Sequence, residues 1–325
     1  MRDLISIIIP CFDEEEALPI FFVELEKERK ALSCDSEVIL VDDGSKDKTP
    51  DIIRELAVKH ENVRYVLLSR NFGKEGAMVA GLFEARGDYA VVMDADMQHP
   101  PQYISVMYDA IKHPADGKEI DSAAMYRTGR KGEKRIRSFF AKRMMKRFCK
   151  MSGTDIPPGA TDYRMVSRRM LDCYLECSET NRFSKGLFNW IGFETKWIPY
   201  ENAPRVAGKT KWSFAGLAGY GIEALLSFSE KPLKYAAVLG GISCTLALIF
   251  AIYVIIKTII WGDPVAGFPS LFCMILFMGG SILLFLGLIG RYISKIYIET
   301  KRRPLFVAKE KGGSEQKERE RKTDD

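Results

Sequence analysis

The sequence predicts an α/β domain with a mostly parallel central sheet, followed by a hairpin of two transmembrane helices. Three observations carry that expectation. Short β-type runs alternate with amphipathic helical runs through the first hundred residues, polar clusters fall at the ends of the β-type runs, and two uncharged apolar stretches of about 20 residues follow residue 234. The 325 residues, 47% hydrophobic and 28% charged, suffice for a large domain with an appendage and are too apolar for a disordered chain. With 26 Gly and 14 Pro, collagen-like repetition is excluded. A mean hydropathy of −0.09 looks soluble, but it averages a polar N-terminal part with an apolar segment after residue 234.

Met1 to Pro10 holds one Arg and an apolar run too short for a signal peptide, so Leu4–Pro10 reads as the first strand. Leu18–Leu32 has helical spacing, with Phe21, Phe22 and Leu25 on one side. Glu37–Val41 is a second strand, Thr49–His60 a second helix, Val63–Leu68 a third strand, Glu75–Ala85 a third helix and Tyr89–Met93 a fourth strand. Pro100 and Pro101 introduce a helix over Gln102–Lys112, residues 113–120 are turn-rich, and Asp121–Tyr126 is a further strand. Thr154–Asp162, with two Pro and a Gly, is expected to be a loop leading to Tyr163–Tyr174, and Phe183–Pro199 has no assignable period. Helical crossovers of this length imply parallel strands, and such sheets bind ligands beyond their carboxyl ends. The clusters Asp13–Glu16, Asp42–Asp47, Arg70–Lys74 and Asp94–His99 fall at those ends and locate a site.

The net charge of +5 comes from one segment. Between Arg127 and Lys150 stand eleven Lys or Arg against one acid, Glu133. Ile136, Phe139, Phe140, Met144 and Phe148 recur at helical spacing there, so the segment reads as an amphipathic helix with a cationic face, suited to anionic lipid or phosphate or simply solvated. The seven Cys are odd in number and scattered, which fits a reduced compartment, and none of the three His has zinc-site spacing to them.

Two stretches, about 236–256 and 268–289, carry no charge and reach the length of a bilayer crossing. Lys231 and Lys234 flank the entry, and Arg291, Lys295, Lys301, Arg302 and Arg303 follow the exit, so both ends of the hairpin belong on the cytoplasmic side of the cell membrane. The expected organisation is a catalytic domain over 1–212, an interfacial helix over 213–233, the hairpin over 234–298 and a polar tail over 299–325, disordered from Lys309. Gly240-Gly241 and Gly279-Gly280 offer close-packing surfaces that suit a homo-oligomer.

Asp94-Ala95-Asp96 follows the fourth strand directly, and two hard oxygen ligands one residue apart suit Mg²⁺ or Mn²⁺, which complete their shells with phosphate oxygens and water. Asp42 and Asp43 end the second strand, where a carboxylate can accept hydrogen bonds from a base or ribose. Glu14 and Glu15 do the same after the first, or favour a helix N-terminus.

The ordered set Pro10-Cys-Phe-Asp-Glu14, Val41-Asp-Asp-Gly-Ser-Lys-Asp47, Asn71-Phe-Gly-Lys74, Asp94-Ala-Asp-Met-Gln-His-Pro-Pro101, Asp162-Tyr-Arg164 and Arg205-Val-Ala-Gly-Lys-Thr-Lys-Trp212 resembles the family 2 glycosyltransferases. Within them it is similar to the polyprenyl-phosphate glycosyltransferases, the group of the bactoprenol glucosyltransferases and dolichol-phosphate mannose synthase. The resemblance implies a nucleotide-sugar-binding α/β domain of the GT-A type and transfer with inversion. By position, Pro10, Phe12, Glu14, Asp42, Asp43, Lys74, Ala95 and Gln98 would line the nucleotide sugar. Asp94, Asp96 and Gln98 would surround the metal, with Asp94, Asp96 and Asp162 as the catalytic carboxylates. Arg205 and Lys211 would close over the phosphates, and Arg127, Arg130 and Arg137 would hold the acceptor phosphate. One departure is Asp13, where the family has Asn.

The implied acceptor, undecaprenyl phosphate, makes sense of an absence. A phosphate monoester has a second pKa near 6 and is already anionic at pH 7, so transfer to it needs no general base. The site then needs cations for the two phosphate groups, and His99, ahead of two Pro, reads as structural. Asp162 either orients the acceptor or a sugar hydroxyl, or pairs with Arg164. A processive polysaccharide synthase would carry Q-x-x-R-W, which no Gln here fits. A dinucleotide-binding dehydrogenase would need glycines after the first strand, and Cys11–Glu16 has none. UDP-glucose is the implied donor, with GDP-mannose, UDP-GlcNAc, UDP-galactose and modified arabinose as alternatives, and a non-catalytic membrane-anchored sugar-nucleotide sensor as the reading outside enzymes. No nucleic-acid partner is expected.

Overall fold

The computed structural model of the protein describes residues 2–114, 117–128, 149, 156–201, 231–261 and 267–313. The chain divides into two units, one of Met1–Gly221 with Arg303–Asp325 and one of Ile222–Arg302.

The first unit is built on an eight-stranded sheet. Its elements are β1 (Leu4–Cys11), α1 (Ala17–Lys30), β2 (Asp35–Asp42), α2 (Thr49–Lys59), β3 (Val63–Leu68), α3 (Lys74–Glu84), β4 (Tyr89–Val92) and α4 (Tyr103–Lys112). These are followed by β5 (Ser122–Arg127), β6 (Ala160–Ser167), α5 (Arg168–Glu176), α6 (Ser184–Trp190), β7 (Thr195–Tyr200) and, after the second unit, β8 (Ala308–Gly312). The spatial order is β7-β5-β6-β4-β1-β2-β3-β8. Ile7, Ile8 and Ile9 of β1 and Val38 to Val41 of β2 are all fully buried, the continuous apolar run of strands covered on both faces. α1 buries Leu18, Phe21, Phe22 and Leu25, and α4 buries Ile104, Met107 and Ile111, each set at helical spacing.

The expected mostly parallel sheet is mixed. β1 pairs in parallel with β2 and β4, and β2 with β3, as the alternating pattern requires. β6 runs antiparallel between β4 and β5, and β7 pairs in parallel with β5. An antiparallel strand needs no helical crossover, so it leaves no alternating signal in the sequence. Two expectations change with it. Asp162 lies inside β6 and not in a loop, and the unassigned 183–199 stretch forms α6 and most of β7. Both faces of β6 are largely buried, which erased its alternation.

Of the tail expected to be disordered from Lys309, 314–325 lie outside the described residues, and the described part instead forms β8, antiparallel to β3 with Tyr65 opposite Gly312 and Val66 opposite Lys311. Its residues are mostly charged and show no apolar period; side-chain partners define it. Glu310 takes a two-pronged pair from Arg54 at 2.9 and 3.0 Å and a hydrogen bond from the Tyr65 hydroxyl at 2.7 Å, while Lys311 pairs with Glu84. A short, charged strand thus covers the edge of β3, the arrangement that discourages pairing with another chain.

The second unit contains α7 (Lys231–Trp261), of 31 residues, and α8 (Phe268–Thr300), of 33. Among the described residues, one stretch, Phe277–Thr300, is long and apolar enough to cross a membrane by length and composition. Phe277, Leu283 and Leu284 of α8 are each more than 60% exposed, as are Leu246 and Ile259 of α7. The amphipathic helix expected in the basic segment, with Arg130 and Arg137, lies outside the described residues, as do Arg205, Lys211 and most of the 213–233 segment.

Candidate active site

The carboxyl ends of β1, β2, β3 and β4 bring the four polar clusters to one edge, and hydrogen bonds between the loops lock them there. Asp42 folds its own turn, accepting from the Gly44 and Ser45 N–H groups. Asp43 reaches to the next loop and accepts from Phe72 N–H at 2.7 Å and Gly73 N–H at 2.9 Å. Gly44 sits where the loops meet at φ +69°, and a Cβ there would lie 2.5 Å from the Arg70 carbonyl carbon, so only glycine fits. Both carboxylates are buried, and burial pushes their pKa up against these hydrogen bonds. Asp42 and Asp43, expected at the nucleotide, therefore hold backbone in this structure.

Asp13 adopts φ 51°, a left-handed conformation that Asn and Asp tolerate best, which suits either residue at this position. Its carboxylate accepts from Lys46 N–H and its own N–H donates to Ser45 Oγ, both at 2.9 Å. Pro10, Phe12 and Glu14 are partly exposed along the same edge, and the Glu14 N–H donates to Thr49 Oγ1 at 2.9 Å.

The loop after β4 carries the chemistry. Met97 has φ 62°, an uncommon conformation for a bulky side chain, between Asp96 and Gln98. Asp96 is 8% exposed and its Oδ1 accepts from Gln98 N–H at 3.0 Å; Ala95 is buried beside it. The Gln98 side-chain oxygen accepts from Arg127 at 3.1 Å, and Arg127 also donates to the Tyr200 hydroxyl at 3.0 Å. Arg127, expected at the acceptor phosphate, is therefore brought against the expected metal ligand Gln98. His99 is structural, as expected: its ring stacks on Tyr163 with centroids 4.9 Å apart, and its Nδ1 accepts from the Asp94 N–H at 2.9 Å. Burial pushes its pKa down to about 4, so the neutral ring is the acceptor this bond requires.

A chain of alternating charges crosses the edge. Lys74 Nζ lies 2.6 Å from Asp94 Oδ1 and 2.8 Å from Oδ2, and 3.2 Å from Asp162 Oδ2; Asp162 Oδ1 faces Lys185 Nζ at 3.7 Å. Burial opposes ionisation of both carboxylates, but Lys74 outweighs it at Asp94, and Lys185 and Lys74 together hold Asp162 well below the usual carboxylate range. The Asp162–Arg164 pair is thus replaced by two lysine pairs. Arg164 is buried, its guanidinium 4.7 Å over the Phe188 ring and its two terminal nitrogens without a hydrogen-bond partner among the described residues. Burial lowers its pKa to about 10, so it stays charged and adds to the positive field around Asp162.

Sequence reasoning missed Lys185 and Glu75, and gave Arg164 only as a partner of Asp162. Glu75 caps α6 by accepting from the Ser184 N–H and hydroxyl, which places Lys185 beside Asp162. Burial, with Asp162 adding, keeps its pKa above the ordinary carboxylate range. Its available signal was its place next to Lys74 in the third polar cluster.

The donor set fits a hard divalent cation. Asp94 and Asp96 offer carboxylate oxygens at the sheet edge, a cation in the form of the Lys74 ammonium is already seated on Asp94, and water and phosphate can fill the remaining positions. Among the described residues no group of three or more His, Cys, Asp or Glu is placed to hold a metal ion.

Comparison with known proteins bears on this edge as a whole. The family model described as glycosyl transferase family 2 matches residues 6–175, from β1 to the end of α5. CsbB of Bacillus subtilis (strain 168), a glycosyltransferase by name, is 39% identical over 309 residues, 95% of this chain and 92% of its own length. The bactoprenol glucosyl transferase of Shigella phage SfV is 35% identical over 305 residues, 94% of this chain and 98% of its own. Among solved structures, the mannosyltransferase PcManGT of Pyrobaculum calidifontis is similar with a TM-score of 0.49 and 17% identity, covering 91% of this chain and 85% of that one. With the family model matching residues 6–175 and relatives matching almost end to end, the chain belongs to glycosyl transferase family 2 and is a glycosyltransferase.

Proposed function

We propose that the protein transfers one sugar, glucose from UDP-glucose, to the phosphate of a membrane polyprenyl phosphate such as undecaprenyl phosphate, with inversion at the anomeric carbon. The observation that carries this reading is the end-to-end match to a protein named bactoprenol glucosyl transferase, which includes the two long apolar helices as well as the α/β unit. The site chemistry supports it. A phosphate acceptor is already anionic at neutral pH and needs no general base, and Asp162, held far below the usual range by two lysines, stays ionised and orients them.

In this reading a phosphate oxygen attacks the anomeric carbon as the bond from that carbon to the diphosphate breaks. Asp94 and Asp96, with Gln98, would hold Mg²⁺ or Mn²⁺, which would supply positive charge to the departing diphosphate. Lys74 and Lys185 stand beside that charge, and Arg127, with Arg130 and Arg137 from the basic segment, receives the acceptor phosphate. Pro10, Phe12, Glu14, Asp42 and Asp43 form the nucleotide side, Asp42 and Asp43 through the loops they brace, and Arg205 and Lys211 close over the phosphates.

The second unit serves as the anchor, with α7 and α8 crossing the bilayer at about 236–256 and 268–289 and the segment over 213–233 lying at the interface. β8 supports an even number of crossings. It follows α8 in the chain and pairs with β3 of the first unit, which favours entry and exit of the second unit on one side, and the flanking lysines and arginines favour the cytoplasmic side.

Asp96→Asn is expected to lower kcat for transfer by about 10²-fold or more while the melting temperature of the protein is retained. Turnover near the wild-type rate with Mg²⁺ or Mn²⁺ supplied would remove the metal assignment.

A further inference from the structure

Lys74 makes its shortest ionic contacts with Asp94, holding both carboxylate oxygens, and also spans to Asp162. It therefore sits on a group that the proposed function gives to the metal. The backbone around it is fixed, because the Gly73 N–H is tied to Asp43, whereas its side chain is 42% exposed on a flexible four-carbon stem. If Lys74 leaves, Asp162 keeps Lys185, so displacement strands no carboxylate. Lys74 also opens α3 at the carboxyl end of the sheet, where phosphate groups bind.

We propose that Lys74 is a displaceable counter-ion: it neutralises Asp94 in the empty enzyme, and a divalent cation entering with a nucleoside diphosphate takes Asp94 and moves the ammonium onto phosphate. Metal and nucleotide binding are thereby coupled. A divalent cation alone must compete with an ammonium at contact distance, while a cation carrying a diphosphate provides that ammonium with a new partner. The consequence is a site that stays closed to free metal and opens to the metal–nucleotide complex. This inference rests on the proposed metal site.

The test is Mn²⁺ binding to the full-length protein in detergent, read from the electron paramagnetic resonance signal of unbound Mn²⁺, alone and with saturating UDP or GDP in separate arms. The wild type is expected to bind Mn²⁺ alone weakly and at least about tenfold more tightly with one of the two nucleotides. Lys74→Met is expected to bind Mn²⁺ alone about tenfold more tightly than wild type and to lose most of the nucleotide enhancement. Lys74→Arg, which can grip Asp94 with two parallel hydrogen bonds, is expected to bind Mn²⁺ alone more weakly than wild type, and it keeps the test intact should the Met variant not fold. An unchanged or weakened affinity for Mn²⁺ alone in a folded Lys74→Met protein, or an unchanged or tighter one in Lys74→Arg, would overturn the proposal with the metal site left standing. Equal Mn²⁺ binding by wild type and Asp96→Asn in every arm would overturn the metal site itself.

Discussion

Ser184 shows how far single residues of the site are committed to one another. Its hydroxyl meets Glu75 and lies 2.7 Å from the Tyr174 hydroxyl, and Ser184 and Tyr174 are both buried. Ser184→Ala leaves the buried Tyr174 hydroxyl and the partly buried Glu75 carboxylate each short of a partner and is expected to cost about 1–3 kcal/mol. Trp190→Ser on the exposed end of the same helix should stay within about 0.5 kcal/mol. Thermal unfolding of the two variants checks this, and equal melting temperatures would mean that the Glu75 cap contributes nothing. Asp94, Asp96 and Lys74 were legible in the sequence because each stands directly after a strand or opens a helix. Lys185 and Glu75 were not, because Glu75 in α3 reaches Ser184 of α6, and so sets Lys185 beside Asp162 of β6, and neither α6 nor β6 carries a periodic signal. The roles of Asp42 and Asp43 were half legible: their position at the strand end was readable, but not their engagement with neighbouring backbone.

At the scale of elements, the alternation of the first hundred residues was readable because every buried strand there is followed by an amphipathic helix. β6 and β8 were hidden for opposite reasons, β6 because it is buried on both faces and carries Asp162 and Arg164, and β8 because it is charged and exposed. The partners of β8 make its stability depend on pH. Arg54 and Tyr65 hold Glu310 down to a pKa of about 2 from an ordinary 4.5. A depressed carboxylate contributes stability above its unfolded pKa and loses it as pH falls through the folded one, so this contribution is full above about pH 4.5 and gone near pH 2. The pair is about a third exposed, so Glu310→Gln is expected to cost only a few tenths to about 1 kcal/mol at pH 7. The gap between variant and wild type should close as the pH is lowered through that window, in melts followed by circular dichroism. A gap that persists unchanged at pH 2.5 would show that the ion pair does not carry the effect.

For the whole molecule, composition misled and order informed: a near-zero mean hydropathy concealed an apolar segment inserted between two parts of one α/β unit. That insertion suits the proposed reaction, in which a soluble donor meets a membrane-borne acceptor. The central claim is the transfer itself, and the most direct measurement incubates the purified full-length protein with undecaprenyl phosphate, Mg²⁺ or Mn²⁺ and labelled UDP-glucose beside GDP-mannose, UDP-GlcNAc and UDP-galactose, then extracts the lipid. The account predicts label in the lipid phase from UDP-glucose, absent when Asp96→Asn replaces the wild type. Nucleotide binding without label in the lipid from any donor would contradict it.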